Sequence, residues 1–317
     1  MGMKYLAVLS KEHEELPFAE VRAILEGEGI NFNLERQGNL AIIEMDRESK
    51  LFTRAAMLRE GGRVLQIVDD PEEINIDLGE RTFSVRYRNF TGRDKDAREV
   101  ESITGSRIRG KVNLKNPDLE ILLIDTGRYY LVLNERVDPG FYSRINEKRP
   151  FRTNLALQPK MARLLVNLGR VKEGDRILDP FCGGGSILIE ASLMGIRADG
   201  IDIGKKMYHG ARLNLSYFGI DSKVYLGDVS LALSLGRYDA IITDPPYGRG
   251  SSTNRESIEK LYKRSFEIFR RVLNDGHVSI ILPEEKYVDL ALENFTLKEK
   301  YSLRVHRSLV RHITVLA

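Results

Sequence analysis

Tyr238-Asp239-Ala240-Ile241-Ile242-Thr243-Asp244-Pro245-Pro246-Tyr247-Gly248 is a short apolar run that stops on two prolines. Its centre does not alternate, which is the pattern of a parallel strand buried on both faces. Proline donates no ladder hydrogen bond, so the strand must end there and leave Asp244 at its carboxyl end. In an open α/β sheet ligands bind outside that end. A carboxylate, two stiff prolines with free carbonyls and an aromatic ring thus share one elbow. Such a set can accept hydrogen bonds from a planar amino group while the ring stacks on the base that carries it. Taken alone, the stretch reads equally well as an ordinary strand-ending turn.

Working outward, residues from about 151 onward form one long α/β alternation. Met161–Leu168 has helical spacing, Arg176–Phe181 reads as a strand, and Gly183-Gly184-Gly185 turns it into the helix Ser186–Met194. Ala198–Ile203 is a second strand, Lys205–Phe218 a helix, and Lys223–Gly227 a third strand followed at once by Asp228. After the strand into Asp244 come a helix at Ile258–Leu273, a strand at His277–Leu282 and a helix at Lys286–Asn294. Leu303–His306 and His312–Leu316 close the chain. This order predicts an α/β fold with a parallel sheet and a final antiparallel hairpin.

Four acids, Asp179, Asp202, Asp228 and Asp244, then stand at or just past strand ends and line one crevice. The glycine turn lets the backbone approach a ligand closely, and the helix start presents free N–H groups. It is neither G-x-G-x-x-G nor a Walker loop, and it carries no basic residue, so a diphosphate is a poor guest. A cationic ligand without phosphate fits better. S-adenosylmethionine is such a ligand, with Asp202 for the ribose hydroxyls, Asp228 for the adenine amino group and Asp179 for the ammonium.

The first half is patterned differently. Lys4–Leu9, Leu16–Glu28, Asn31–Arg36, Asn39–Met45, Leu51–Leu58 and Arg63–Val68 read as β-α-β-β-α-β, the order of a ferredoxin-like unit. Thr82–Arg88 then alternates, with Phe83, Val85 and Tyr87 inward and Arg86 and Arg88 outward. Asp94–Ile103 reads as a helix capped by an aspartate. Gly105-Ser106-Arg107-Ile108-Arg109-Gly110-Lys111 reads as a glycine-bracketed basic loop suited to phosphate contacts, with Arg107, Arg109 and Lys111 as its cations. Leu119–Asp125 and Tyr129–Asn134 pair as strands, and the stretch from Asp138 to Pro150 reads as a linker.

Composition sets the outer limits. The 317 residues allow two or three domains, and no apolar run reaches membrane-span length. The start turns acidic too early for a signal peptide, so a cytoplasmic protein is expected. One cysteine, Cys182, excludes intrachain disulfides and paired-cysteine zinc sites, and it reads as a small packed residue. His277, His306 and His312 lack metal-like spacing, so no metal is expected. Net charge is +3, but residues 1–80 hold 9 Lys and Arg against 17 Asp and Glu, while residues 81–115 hold 10 against 4. A basic block beside an acidic one points to a local nucleic-acid face.

The run LDPFCGGGSILIEA, the GIDI segment, the Gly227-Asp228 step and TDPPYG stand in the order of a class I amino-methyltransferase, which residues 151–317 resemble. The first half resembles a ferredoxin-like segment followed by a THUMP domain, an RNA-binding module. Together with the closing Val305-His306-Arg307-Ser308-Leu309-Val310-Arg311, the assembly resembles the tRNA guanosine-10 N2-methyltransferase family. The resemblance implies a ferredoxin-like domain over 1–78, a THUMP domain over 79–137, a linker over 138–155 and a Rossmann-like methyltransferase domain over 156–317. It implies S-adenosylmethionine held by Asp179, Phe181, Gly183, Gly185, Asp202, Ile203, Asp228 and Val229. Asp244, Pro245, Pro246 and Tyr247 would present the target amine, and Arg86, Arg88, Arg107, Arg109 and Lys111 would meet RNA. The implied partner is tRNA, with no membrane, and the chain acts alone or with an accessory protein. The implied product is N2-methylguanosine at position 10, with mono- against dimethylation open. The local motif equally admits another tRNA or rRNA guanosine, or adenine N6 of a nucleic acid.

Overall fold

The computed structural model of the protein describes residues 2–154, 156–247, 256–306 and 309–317, with the backbone alone at 305, 306 and 309. Gly248 and Arg307-Ser308 of the motifs quoted above lie outside the described residues. The chain divides into two compact units. One holds the residues up to Phe18 together with Ile30–Thr53 and Leu58–Asp138. The other holds Ala19–Gly29, Arg54–Met57 and Pro139–Ala317.

The elements of the first half are β1 (Met3–Leu9), α1 (Leu16–Gly27), β2 (Phe32–Gln37), β3 (Leu40–Met45), α2 (Leu51–Arg54) and β4 (Leu58–Val68). They continue as β5 (Ile76–Asn89), α3 (Ala97–Ser106), β6 (Ile108–Val112), β7 (Leu119–Asp125) and β8 (Tyr129–Asn134). All eight strands form one sheet in the order β2-β3-β1-β4-β8-β7-β5-β6. The boundary expected between residues 78 and 79 falls inside β5, and β4 pairs with β8 from Gly62 opposite Asn134 to Val68 opposite Tyr129. A shared core of Leu6, Val8 and Leu40 with Leu122, Ile124 and Val132 runs across that seam.

Three local expectations in this half are corrected. The basic loop is largely a strand, because Ile108 is buried and β6 pairs parallel to β5, from Ile76 opposite Ile108. The helix expected over 51–58 stops at Arg54, because the buried Glu20 carboxylate takes the amides of Ala56 and Met57, each at 2.7 Å. The helix cap is Asp96 rather than Asp94, accepting from the Arg98 amide at 2.9 Å.

The second half comprises α4 (Pro159–Leu168), β9 (Arg176–Asp179), α5 (Ser186–Leu193), β10 (Arg197–Asp202), α6 (Lys205–Tyr217) and β11 (Lys223–Leu226). It ends with β12 (Tyr238–Thr243), α7 (Ile258–Val272), β13 (Leu273–Leu282), α8 (Glu285–Ala291), β14 (Leu297–His306) and β15 (Leu309–Leu316). The sheet order is β11-β10-β9-β12-β13-β15-β14. The first five of these strands run parallel, and β15 enters antiparallel beside β13. The strand order turns back between β9 and β12, the place where such sheets bind ligands. Leu178, Ile201, Ile241 and Val278 from the strands pack with Tyr262, Phe266 and Phe269 of α7. No helix among the described residues is long and apolar enough to cross a membrane.

The stretch expected as a linker belongs to this unit from Pro139 onward. Its arginines explain why. Arg144 is buried against the Glu190 carboxylate at 2.7 Å, and Arg149 donates to the Ser186 hydroxyl at 2.6 Å. A buried guanidinium is stable only where such acceptors meet it.

Candidate active site

The strand ends at the switch point supply the acids. The Asp179 carboxylate is buried and accepts from the Thr243 hydroxyl at 2.7 Å and the Phe181 amide at 3.2 Å. After it the chain passes through Gly183 and Gly185, both in the left-handed region at φ 50° and 84°. Cys182 packs against Gly200, where a Cβ would come within 2.8 Å of its sulfur, and burial pushes its thiol well up. It is a packing residue.

Asp202 accepts from the Gly183 amide at 2.9 Å and the Gly204 amide at 2.8 Å. An amide of the glycine turn is thereby committed to a carboxylate, which leaves the turn ill suited to phosphate. Asp228 caps the 3-10 turn Val229–Ser234 through the Ser230 amide at 2.9 Å. Arg264 grips the same carboxylate at 2.6 and 3.0 Å and holds it well below the usual range. Asp244 accepts a hydrogen bond from the hydroxyl of Tyr247. The Pro246 carbonyl accepts from Tyr262 at 3.0 Å, whereas the Pro245 carbonyl accepts none among the described residues.

A cleft of about 670 Å³ opens over these strand ends. That is the size of a small-molecule site. Phe181, Gly183, Asp202, Ile203, Asp228, Val229 and the whole run Asp244–Tyr247 line it. Asp179 and Gly185 do not line it: Asp179 is turned into the protein by Thr243, and Gly185 packs beside Ala211 at the start of α5. Asp179 thus stands just behind the residues that line the cleft, bonded to Thr243. Burial raises Asp179 to about 7 and Asp244 to about 6, and it raises Asp202 as well. A cation in the cleft would relieve all three.

Sequence reasoning missed several lining residues. Thr153 comes from the segment leading into α4 and Met161 from its first turn, Glu256 precedes α7, and Arg311 stands on β15. The Arg311 guanidinium lies over the Tyr247 ring, 5.2 Å from its centroid. Gln158, which also lines the cleft, reads in the sequence as a helix start, and the family resemblance places a cofactor-contacting segment there. Arg264 offered none, being a single arginine in a charged stretch, and Arg311 entered only as the last residue of the closing motif, with no role attached.

The RNA candidates lie in the first unit. Arg88 is held by Glu60 at 2.8 Å and Arg86 is half-buried. Arg107 and Arg109 are exposed and pair with Glu72 at 3.2 Å and Asp77 at 3.3 Å. Lys111 is exposed on the edge strand β6. Among the described residues no group of three or more His, Cys, Asp or Glu is placed to hold a metal ion.

A family model described as RMKL-like, methyltransferase domain matches residues 146–313. The chain is 39% identical over 340 residues to the tRNA (guanine(10)-N2)-dimethyltransferase of Methanothermobacter thermautotrophicus, covering 99% of each. It is 30% identical to the protein of the same name from Methanocaldococcus jannaschii, covering 97% of this chain and 98% of that one. Its fold resembles the crystal structure of TrmN from Thermus thermophilus, at TM-score 0.53 and 20% identity over 99% of both chains.

Proposed function

The chain belongs to the tRNA (guanine(10)-N2)-dimethyltransferase family, and from that premise we infer that it methylates the exocyclic N2 amine of guanosine 10 in tRNA. Its cofactor is S-adenosylmethionine. The residues present suit that group. The cleft is acid-lined by Asp202, Asp228 and Asp244, has apolar walls at Phe181, Ile203 and Val229, and has its glycine turn engaged with a carboxylate. When bound, the cofactor supplies an electrophilic methyl group on a sulfonium.

The chain's own residues do the rest. In this reading Asp202 accepts from ribose hydroxyls, and Asp228 and the Val229 amide face adenine. Asp179 stabilises the cation from behind the wall. The lone pair of guanine N2 is delocalised into the ring, so the amine must be oriented before it can attack. Asp244 and the unengaged Pro245 carbonyl accept its two protons, which aims the lone pair and favours a pyramidal nitrogen. As nitrogen gains a methyl it becomes cationic, and Asp244 takes one proton and passes it to solvent. A paired base reaches this elbow only when flipped out of its helix. Tyr247 then exchanges its bond to Asp244 for a stack on the base. With the first methyl in place N2 keeps one proton, so one of the two acceptors suffices for a second transfer.

We read residues 1–78 as ferredoxin-like, supported by the element order and by the antiparallel sheet order β2-β3-β1-β4. We read residues 79–137 as a THUMP-like RNA-binding part, supported by exposed Arg107, Arg109 and Lys111 along its edge. The observation that carries the catalytic reading is Asp244 at the switch point beside the Pro245 carbonyl, which has no partner among the described residues. A tRNA transcript with inosine at position 10 lacks only the amine. Labelled methyl should enter the guanosine transcript and not the inosine one. Equal labelling of both would refute the assignment.

A further inference from the structure

The elbow made by Asp244, Pro245 and Pro246 offers only acceptors, and any exocyclic amine satisfies them. It cannot by itself tell guanine N2 from adenine N6. Discrimination has to come from a group that meets the rest of the base.

Arg311 is placed for this. It lines the same cleft, and its guanidinium lies 5.2 Å from the centroid of the Tyr247 ring, whose hydroxyl is bonded to Asp244. Its Nε is buried with no hydrogen-bond partner among the described residues. The guanidinium has five N–H donors and no acceptor. No hydrogen bond from the guanidinium is found among the described residues, and a donor left without a partner is costly, so an acceptor brought against it from the cleft is favoured. The acids of the cleft are otherwise engaged: Asp228 and Glu256 with Arg264, Asp202 with two glycine amides, and Asp244 with Tyr247.

We infer that Arg311 reads the O6–N7 side of the flipped guanine and thereby selects guanine at this site. The inference rests on guanosine N2 being the acceptor amine. A guanine whose N2 sits in the elbow turns O6 away from it at the far end of the same edge, with N7 next to it. Both are acceptors, and together they match the fork of an arginine. A base carrying an amine at position 6 sets donors against donors, which repels rather than merely failing to attract.

The test uses tRNA transcripts bearing guanine, 2-aminopurine (no O6), 7-deazaguanine (no N7) or 2,6-diaminopurine at position 10. Single-turnover methylation is measured at saturating tRNA for the wild type, Arg311→Ala and Arg311→Lys, with cofactor affinity by calorimetry as the check on folding. The wild type should lose about ten- to a hundredfold on 2-aminopurine and at least as much on 2,6-diaminopurine. Arg311→Ala should be slower on guanine and nearly indifferent among the four bases, and Arg311→Lys intermediate. A wild type insensitive to loss of O6 and N7 would overturn the inference without any variant. So would an Arg311→Ala protein slowed by the same factor on every base, the pattern of a phosphate contact. Failure of the wild type to methylate guanosine 10 would instead remove the premise, and that result is distinct from both.

Discussion

Arg264 on α7 holds both carboxylate oxygens of Asp228, 36 residues earlier, at 2.6 and 3.0 Å, while its other contact is Glu256 at 2.8 Å. A carboxylate has about four lone-pair sites, so the bidentate grip leaves room for an adenine amine and fixes where it must come. Removing Arg264 frees Asp228 to rotate. Arg264→Ala should weaken cofactor binding by about tenfold and leave turnover at saturating cofactor nearly unchanged, because the acceptor amine is held elsewhere. Arg264 and Asp228 are each about a third exposed, so the fold itself should lose only about 1 kcal/mol or less. Calorimetry and steady-state kinetics separate these effects. An equal fall in turnover would count against a positioning role.

Asp244 sets the pH dependence. Burial raises it to about 6, against the Tyr247 hydrogen bond and the Arg311 charge, which both pull it down. The protonated acid donates where the mechanism needs an acceptor. The rate at low, unsaturating cofactor, which reports the free protein, should therefore fall tenfold per pH unit below about 6 and level off above it. Arg311→Ala removes a charge that favours the carboxylate, so it should move this break upward. A profile flat from pH 5 to pH 8 would exclude Asp244 as the group that receives the amine protons.

Asp179 bears on stability as well as on the cofactor. Its carboxyl is raised to about 7, first by burial and further by Asp244 and Asp202. A raised acid contributes stability that is full below its unfolded pKa near 4 and is lost as pH climbs through the folded value. The free protein thus carries an unfavourable charge at pH 8, with an upper bound of roughly 4 kcal/mol. Asp179→Asn keeps an acceptor for Thr243 and should raise the melting temperature at pH 8 by more than at pH 5, while weakening cofactor binding. A melting temperature changed equally at both values would show that the buried charge is not the cause.

The edge of β6 should govern tRNA affinity. Arg107 and Arg109 pair with exposed Glu72 and Asp77, and such pairs are worth little in water. Replacing Arg107, Arg109 and Lys111 with glutamine should weaken binding and reduce the salt slope by about 2 to 3. Glu72→Gln with Asp77→Asn should do the reverse and tighten it. An unchanged slope in the triple variant would move the RNA face elsewhere.

How far these features were legible depends on the distance over which each is decided. The strand into Asp244 and the glycine turn after Asp179 are written in neighbouring residues, through prolines, glycines and apolar runs, and could be read. Helix α2 could not, because the group that ends it, Glu20, lies 36 residues from the Ala56 amide it accepts. Strand β6 was hidden because its outward residues are basic and its glycine suggested a loop, whereas the decisive fact is Ile108 buried beside β5. Arg264 and Arg311 reach the site only through the folding of α7 and β15, so no local spacing marks them.

The central claim is that Asp244 presents N2 of guanosine 10. It is tested most directly by mass spectrometry of nucleosides and mapped fragments from an unmodified tRNA transcript incubated with cofactor and either the wild type or Asp244→Ala. The wild type should yield N2-methylated guanosine at position 10, and Asp244→Ala none, although calorimetry should show that it still binds cofactor. Methylated adenosine, methylated guanosine at another position, or wild-type product from Asp244→Ala would contradict it.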